Sequence, residues 1–366
     1  MKTALLHYWL TNMRGGEKVL AALGTMFPDA DIFTHAYLPE RFGELSHDRL
    51  WGHRVRESFV SHLPFGRSHP QAYLPLMPKA SRWLKLDGYE LIVSSESGPI
   101  KGIRKPTGAR HVCYCHTPMR YIWDLHDDYY RTASFAGKLA MKAFSGYLRR
   151  EDVRSAETVD VFVANSAFVA ARIKRIYGRE SRVVHPPVDV EFYGHERFVK
   201  KDYFLLAGQL VPYKRPELAV EACMKMNLPL VVVGDGVLRG RLADMAAGHP
   251  NIQFVGRISD QELRCRYAEA RALLFPGVED FGIVPVEAQA AGTPIIAHGV
   301  GGALETVVDG KTGMFFERAS VNALCSAIEE FEARSWSSEA CRANAARFTR
   351  KQFVSGICEA CRAVGR

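Results

Sequence analysis

Six short apolar runs recur through the second half of the chain, separated by longer stretches with helical periodicity. The runs are YFLLAG (203–208), LPLVVVG (228–234), IQFVG (252–256), ALLFP (272–276), PIIA (294–297) and GMFF (313–316). Helix signals fall between them. Pro216 suits the first helical position of RPELAVEACMKM, and SDQE at 259–262 reads as a capping box with Ser259 as N-cap and Glu262 at N3. Strand and helix alternating through short loops predict a parallel sheet covered by helices.

The first half alternates less regularly. TALLH (3–7), DIFTHAY (31–37), ELIVSS (90–95), HVCYCH (111–116), VDVFVANS (159–166) and RVVHPP (182–187) read as strands, and GEKVLAALGTMF (16–27) and FVAARIKRIYG (168–178) as helices. Residues 40–85, rich in Pro, His and Arg, fit neither period and read as an irregular insertion with short helices. The segment 185–203, with its two prolines and polar residues, reads as an interdomain linker. The last twenty residues form an amphipathic helix with no strand after it. A length of 366 residues suits two domains. The expected division is 1–195, 196–347 and a C-terminal helix at 348–366. Ligands of such sheets sit beyond the carboxyl ends of the strands, and two facing domains make a cleft there.

Composition narrows the class. No apolar run reaches the roughly 18 residues of a membrane span. The opening MKTALLHYWL is broken by His7, Asn12 follows it closely and no cleavage site appears, so it reads as a buried strand rather than a signal peptide. Eight cysteines are scattered. Of the two close pairs, Cys113/Cys115 alternates along an apolar strand and Cys358/Cys361 lies in a helical pattern. Both suit reduced packing cysteines of the cytosol rather than a zinc site. Charge is lopsided: residues 1–190 carry 27 Lys and Arg against 19 Asp and Glu, whereas 191–366 carry 21 of each. Such a field attracts anions, and no basic run interleaved with aromatics points to nucleic acid. The basic, partly apolar stretch SFAGKLAMKAFSGYLRRE (134–151) reads either as a membrane-docking face or as a core helix with solvated cations.

Four stretches carry candidate chemistry. In GVEDFGIVPVEAQAAGTP (277–294) a strand end leads into a short helix that Gly292 ends. The backbone N–H groups around Gly282, Ile283 and Val284 form an anion site at the helix start, with Glu279 in the loop and Glu287 in the first turn. The alternative for Glu287 is a helix-dipole partner worth about 0.3–1 kcal/mol. In AGQLVPYKRPE (207–217), Lys214 and Arg215 stand at a helix start, where cations are unfavourable unless an anion binds; the alternative is two solvated cations. Gly15-Gly16 opens a helix after the first strand and lets a ligand near the backbone. His116 ends an apolar strand at its carboxyl edge, placing an imidazole on the cleft side. GDGVLRG (234–240) has one residue too many for a dinucleotide fingerprint, and DGKTG (309–313) lacks the glycine of a phosphate-binding loop, since Glu305 stands in its place.

Together these stretches resemble the retaining glycosyltransferases of family 4. The resemblance rests on the Glu-x7-Glu element (Glu279 to Glu287) around Phe281-Gly282, followed through AGQLVPYK, VVVGDG, FVGRI and GGALETVVDGKTG. It implies the GT-B fold, two Rossmann-like domains with a C-terminal helix returning to the first. HTPMRYIWD is similar to bacterial mannosyltransferases of O-antigen and exopolysaccharide synthesis. The resemblance further implies that Lys214 binds the donor diphosphate, Glu287 the ribose and Glu279 the donor sugar. His116 would lie near that sugar and Gly15-Gly16 under the diphosphate and acceptor. Gly234, Arg257, Phe281, Gly282, Ile283 and Val284 complete the expected donor site. Gln209 stands where the family usually carries a basic residue, and Arg215 is the candidate replacement. The implied co-substrate is GDP-mannose or, alternatively, a UDP-sugar, with no metal or other cofactor. A nucleotide-sugar-binding protein without turnover is the reading from another class. The implied acceptor is a glycan or polyprenyl-diphosphate-linked glycan at the inner face of the cytoplasmic membrane.

Overall fold

The apolar runs pair side by side as parallel strands, and in the computed structural model they build two separate sheets. The structure describes residues 1–195 and 198–363; Glu196 and Arg197 of the expected linker, and residues 364–366 of the expected C-terminal helix, lie outside the described residues. The chain divides into unit 1, Met1–Pro187 with Lys351–Arg366, and unit 2, Val188–Arg350.

The strands of unit 1 are β1 (Thr3–His7), β2 (Asp31–Thr34), β3 (Arg49–Leu50), β4 (His53–Glu57), β5 (Leu91–Glu96), β6 (Arg110–Cys115), β7 (Val161–Ala164) and β8 (Ser181–Val183). Their order is β3-β4-β2-β1-β5-β6-β7-β8. All neighbours are parallel except β3 with β4. The direction of strand order reverses between β1 and β5. The irregular reading of 40–85 is therefore corrected. That segment supplies β4, which pairs in parallel with β2. In β4, His53 and Val55 are buried while Arg54 is exposed. A charged outer face hides a strand from a search for continuous apolar runs.

The helices of unit 1 are α1 (Gly15–Met26), α2 (Met77–Arg82), α3 (His126–Thr132), α4 (Phe135–Ser155) and α5 (Ala167–Tyr177). Leu5, Leu20, Leu23, Val93 and Tyr114 share a core between α1 and the sheet. The long α4 is no core helix: only Leu148, Asp152 and Ser155 are buried.

Unit 2 contains β9 (Phe204–Ala207), β10 (Leu230–Val233), β11 (Ile252–Gly256), β12 (Leu273–Phe275), β13 (Ile295–His298) and β14 (Gly313–Phe316). Each of the six apolar runs yields one of these strands. The order β11-β10-β9-β12-β13-β14 is all parallel. It is the doubly wound arrangement, with its switch point between β9 and β12. The helices are α6 (Val190–Gly194), α7 (Pro216–Lys225), α8 (Arg239–Met245), α9 (Asp260–Glu269), α10 (Ile283–Ala290), α11 (Ala303–Thr306), α12 (Val321–Glu332) and α13 (Ser338–Ala345). Ser259 and Glu262 cap α9 reciprocally, as their spacing predicts. The last helix, α14 (Arg350–Ala363), buries Phe353, Ile357 and Ala360. These three join the core of unit 1, with Phe353 edge-on to Tyr114 at 5.5 Å.

Candidate active site

In unit 2 the polar groups gather at the switch point, where loops leave β9 and β12 in diverging directions. The β9 loop runs through Gly208 and Gln209 into a short 3₁₀ turn, Pro212–Lys214. The β12 loop crosses it at Gly277, where a Cβ would lie 2.5 Å from the Lys214 Cα. Only glycine permits that approach. The crossing brings the Lys214 Nζ to 2.7 Å from Glu279 Oε1, with both side chains about four-fifths buried at 19% and 18% exposure. Gly208, Gln209, Lys214, Gly277 and Glu279 line one small cavity.

α10 begins directly after this loop. Its N-cap, Gly282, has φ of +89°, a left-handed conformation that costs other residues energy. The turn aims the first backbone N–H groups of α10, at Ile283 and Val284, away from the helix body. Phe281, expected at the donor, turns its ring into the core instead, 5.4 Å from Phe348. Only its backbone is left to face a ligand.

Two expectations need correction here. Glu287 stands in the second turn of α10 rather than the first. It is 6% exposed and accepts a hydrogen bond of 3.1 Å from the Tyr267 hydroxyl. A dipole partner belongs in the first turn, so that alternative does not describe Glu287. The two cations at the helix start are also answered within the chain, Lys214 by Glu279 and Arg215 by Glu217 at 2.6 Å. Their position alone therefore does not demand a bound anion. Arg215, the candidate replacement for a basic residue at Gln209, gives its side chain to Glu217 and does not line the Lys214–Glu279 cavity. Gly234 and Arg257 follow β10 and β11, outward from the switch point. The Arg257 side chain is 78% exposed, with Nε 3.8 Å from Asp235.

Unit 1 places Gly15, Gly16 and His116 together, with groups that the sequence did not single out. Glu17 accepts from the Arg14 backbone N–H at 3.0 Å and fixes the start of α1. Around Gly16, a Cβ would lie 3.5 Å from His7 Cε1 and 3.6 Å from both His116 Nε2 and the Tyr8 hydroxyl. His116 Nε2 is 2.8 Å from Ser95 Oγ. Burial, reinforced by His7, lowers the His116 pKa to about 3, so the ring is neutral at neutral pH. His7 is fully buried, its Nε2 3.5 Å from Glu17. His7 and Tyr8 end an apolar strand and read there as core; only their place at its carboxyl edge marks them. Tyr267 gave no signal at all, because a tyrosine at a helix's apolar position reads as packing.

Known proteins resemble the chain over both units. Residues 13–192 match the family described as Glycosyltransferase Family 4, and residues 189–348 match Glycosyl transferases group 1. A D-inositol 3-phosphate glycosyltransferase of Nocardioides sp. is 30% identical over 198 residues, covering 44% of this chain and 43% of the relative. The match thus spans less than half the length of that relative. Among solved structures, Anabaena HepE in complex with UDP has a TM-score of 0.71 at 18% identity, covering 99% of this chain and 100% of that one. The lipopolysaccharide outer core galactosyltransferase WaaB in its apo form has a TM-score of 0.69 at 15% identity, covering 99% of each chain. The two parallel-sheet domains have the GT-B fold of these neighbours, and the chain is built of a glycosyltransferase family 4 domain followed by a glycosyl transferases group 1 domain.

Proposed function

We propose that the protein is a retaining, metal-independent glycosyltransferase that moves mannose from GDP-mannose to a lipid-linked or polysaccharide acceptor. The observation that carries the transferase reading is the Lys214–Glu279 pair beside the N-terminus of α10, at the switch point of unit 2. As the glycosidic bond breaks, negative charge grows on the diphosphate oxygens. Lys214 and the N–H groups of 283 and 284 are preorganised to receive it. Glu279 faces the sugar as it gains positive character, and Glu287 holds the ribose. His116, neutral, offers a hydrogen bond to a sugar hydroxyl. Mannose as the donor sugar rests on HTPMRYIWD. A UDP-sugar is the second reading, favoured by HepE, whose structure holds UDP. Titration with GDP and UDP, followed by a transfer and hydrolysis assay on the matching sugar nucleotides, tests all three readings. Binding without turnover on any acceptor would make this a binding protein, and UDP-sugar turnover alone would replace the donor.

The same reading places the acceptor on an anionic membrane surface. The positive charge of the first half supports it, as does the outward side of α4. There Phe135 is 86% and Leu139 62% exposed, beside the exposed cations Lys142 and Arg150. Among the described residues no helix is long and apolar enough to cross a membrane, so contact would be interfacial. Flotation with anionic and neutral vesicles at low and high salt checks this. Equal partitioning onto both vesicle types would overturn it.

A further inference from the structure

Glu287 is bonded by one phenol and faced by a second, each from another helix. Tyr267, on α9, donates to its Oε2 at 3.1 Å. Tyr193, on α6, lies close enough to the same carboxylate for Glu287 to raise its phenol pKa. The two rings meet edge to face, with centroids 5.7 Å apart, and both are buried. Burial and the Glu287 charge raise both phenol pKa values far above the usual, so both hydroxyls remain protonated donors. Tyr267 is wholly buried and Tyr193 is 3% exposed. Their hydroxyls are turned to Glu287, so an effect on a ligand passes through that carboxylate.

The last torsion of a glutamate is broad and weakly preferred, so an unsupported Glu287 would sample many carboxylate planes. Accepting from two neighbouring ribose hydroxyls at once requires one plane. Two phenols on fixed rings supply it, and a carboxylate, with roughly four acceptor sites, can accept from them and from a diol together. We propose that Tyr267 and Tyr193 are positioning residues that orient Glu287 toward the ribose diol and thereby set a preference for ribonucleotides over deoxyribonucleotides. The proposal rests on the ribose role given to Glu287 above. It also gives a function to α6, since Tyr193 lies in the segment that the sequence presents as linker.

The test uses the full chain and its Tyr267→Phe, Tyr193→Phe and Glu287→Gln variants, titrated with GDP, UDP and the 2′-deoxy form of each. A site built to bond a hydroxyl rejects an analogue lacking it, so the wild type should prefer the ribonucleotide by about 10-fold or more. Losing one orienting hydrogen bond should weaken ribonucleotide binding by roughly 5-fold to 10-fold in Tyr267→Phe, while deoxynucleotide affinity stays within about twofold. That retained affinity also shows the variant site is folded. Tyr193→Phe should move the same way. If both Tyr variants keep the wild-type preference while Glu287→Gln abolishes it, the phenols do not position Glu287, although the ribose role stands. Equal losses for ribo and deoxy forms would mean the phenols serve only the fold, and would overturn the proposal. A preference that survives Glu287→Gln would remove the ribose role itself, and the proposal with it. Absence of binding by all four nucleotides to the wild type would overturn both.

Discussion

Each unit places the glycine-marked start of a helix near its sheet's switch point, α1 on Gly15 and α10 on Gly282, yet the two surround it with opposite chemistry. In unit 1 the groups converging on Gly16 are rings and hydroxyls: His7, His116, Tyr8 and, through His116, Ser95. In unit 2 the groups at the helix start are charged: Lys214, Glu279 and, one turn on, Glu287. Unit 1 also buries one carboxylate there, Glu17, which caps α1 and lies 3.5 Å from His7, and it buries a charged cluster elsewhere. Lys101, wholly buried, lies 2.7 Å from Asp152 and 3.1 Å from Glu96. Charge at a ligand site can meet a diphosphate, whereas neutral rings suit sugar and acceptor hydroxyls. Under the proposed function, the contrast fits leaving-group chemistry in unit 2 and hydroxyl recognition in unit 1.

Acid should break the comparison most visibly. His116 has its pKa lowered to about 3, and His35 and His111 to about 4, in each case chiefly by burial. The unfolded chain takes up these protons near the ordinary histidine value of about 6.5, so stability falls as pH drops from there toward about 4. Glu96, raised by burial to about 7, runs the other way. Its carboxyl gains a proton in the folded unit first, so acidification through the same window adds stability. Three imidazoles outweigh one carboxyl. Hydrogen exchange at pH 7.5 and pH 5 should show protection lost across β1, β5 and β6 and kept in β9 to β14. Uniform loss in both units would contradict the assignment.

Second in size is the buried triad. Burial alone would lower the Lys101 pKa, but Asp152 and Glu96 raise it well above the ordinary value. Lys101→Met leaves two buried carboxylates without their cation, a change that costs about 3–5 kcal/mol. Denaturant unfolding followed by segment-resolved exchange should find the loss in unit 1 alone. A cost under about 1 kcal/mol, of the size of an exposed pair, would show that the cluster is reached by water.

Glu279→Gln comes next and probes unit 2. Loss of an electrostatic group acting at the transition state should lower kcat about 100-fold. Free nucleoside diphosphate should bind as well as before or more tightly, since a carboxylate competing for Lys214 has gone. Steady-state kinetics with nucleotide titration separates two roles. A fall in nucleotide affinity alongside kcat would show that Glu279 serves to anchor Lys214 rather than to face the sugar.

How legible these features were depends on whether one residue type suffices to mark them. The six strands of unit 2 are readable because strands covered on both faces are apolar at nearly every position, Gln253 of β11 being an exposed exception. β4 is not, since its arginines face outward. Lys214, Glu279 and Gly282 stood out as charge or glycine where an apolar pattern breaks. Tyr193 and Tyr267 obey that pattern, and only their hydroxyls, meeting Glu287 from distant segments, depart from it. The Lys214–Glu279 pair also lay beyond reach, because it depends on Gly277 letting two loops cross.

The smallest expected effect concerns the charge at Gln209. Arg215 takes a left-handed backbone conformation, φ +50°, and gives its side chain to Glu217. That pair is partly exposed, so it contributes about 1 kcal/mol at most, and Arg215→Ala should leave nucleoside diphosphate affinity within about twofold. Gln209→Arg is the complementary change. Gln209 lines the cavity that holds Lys214 and Glu279, so an arginine there reaches the place assigned to the diphosphate. A well-placed charged hydrogen bond contributes about 1.5–3 kcal/mol, but Glu279 competes for the new cation as it does for Lys214. The net gain in affinity should therefore be modest, about 3-fold to 10-fold, and larger in the Glu279→Gln background. Titration of nucleoside diphosphate into the single and double variants measures that coupling. A large loss in Arg215→Ala with no gain in Gln209→Arg would relocate the diphosphate from the Lys214 cavity to the start of α7.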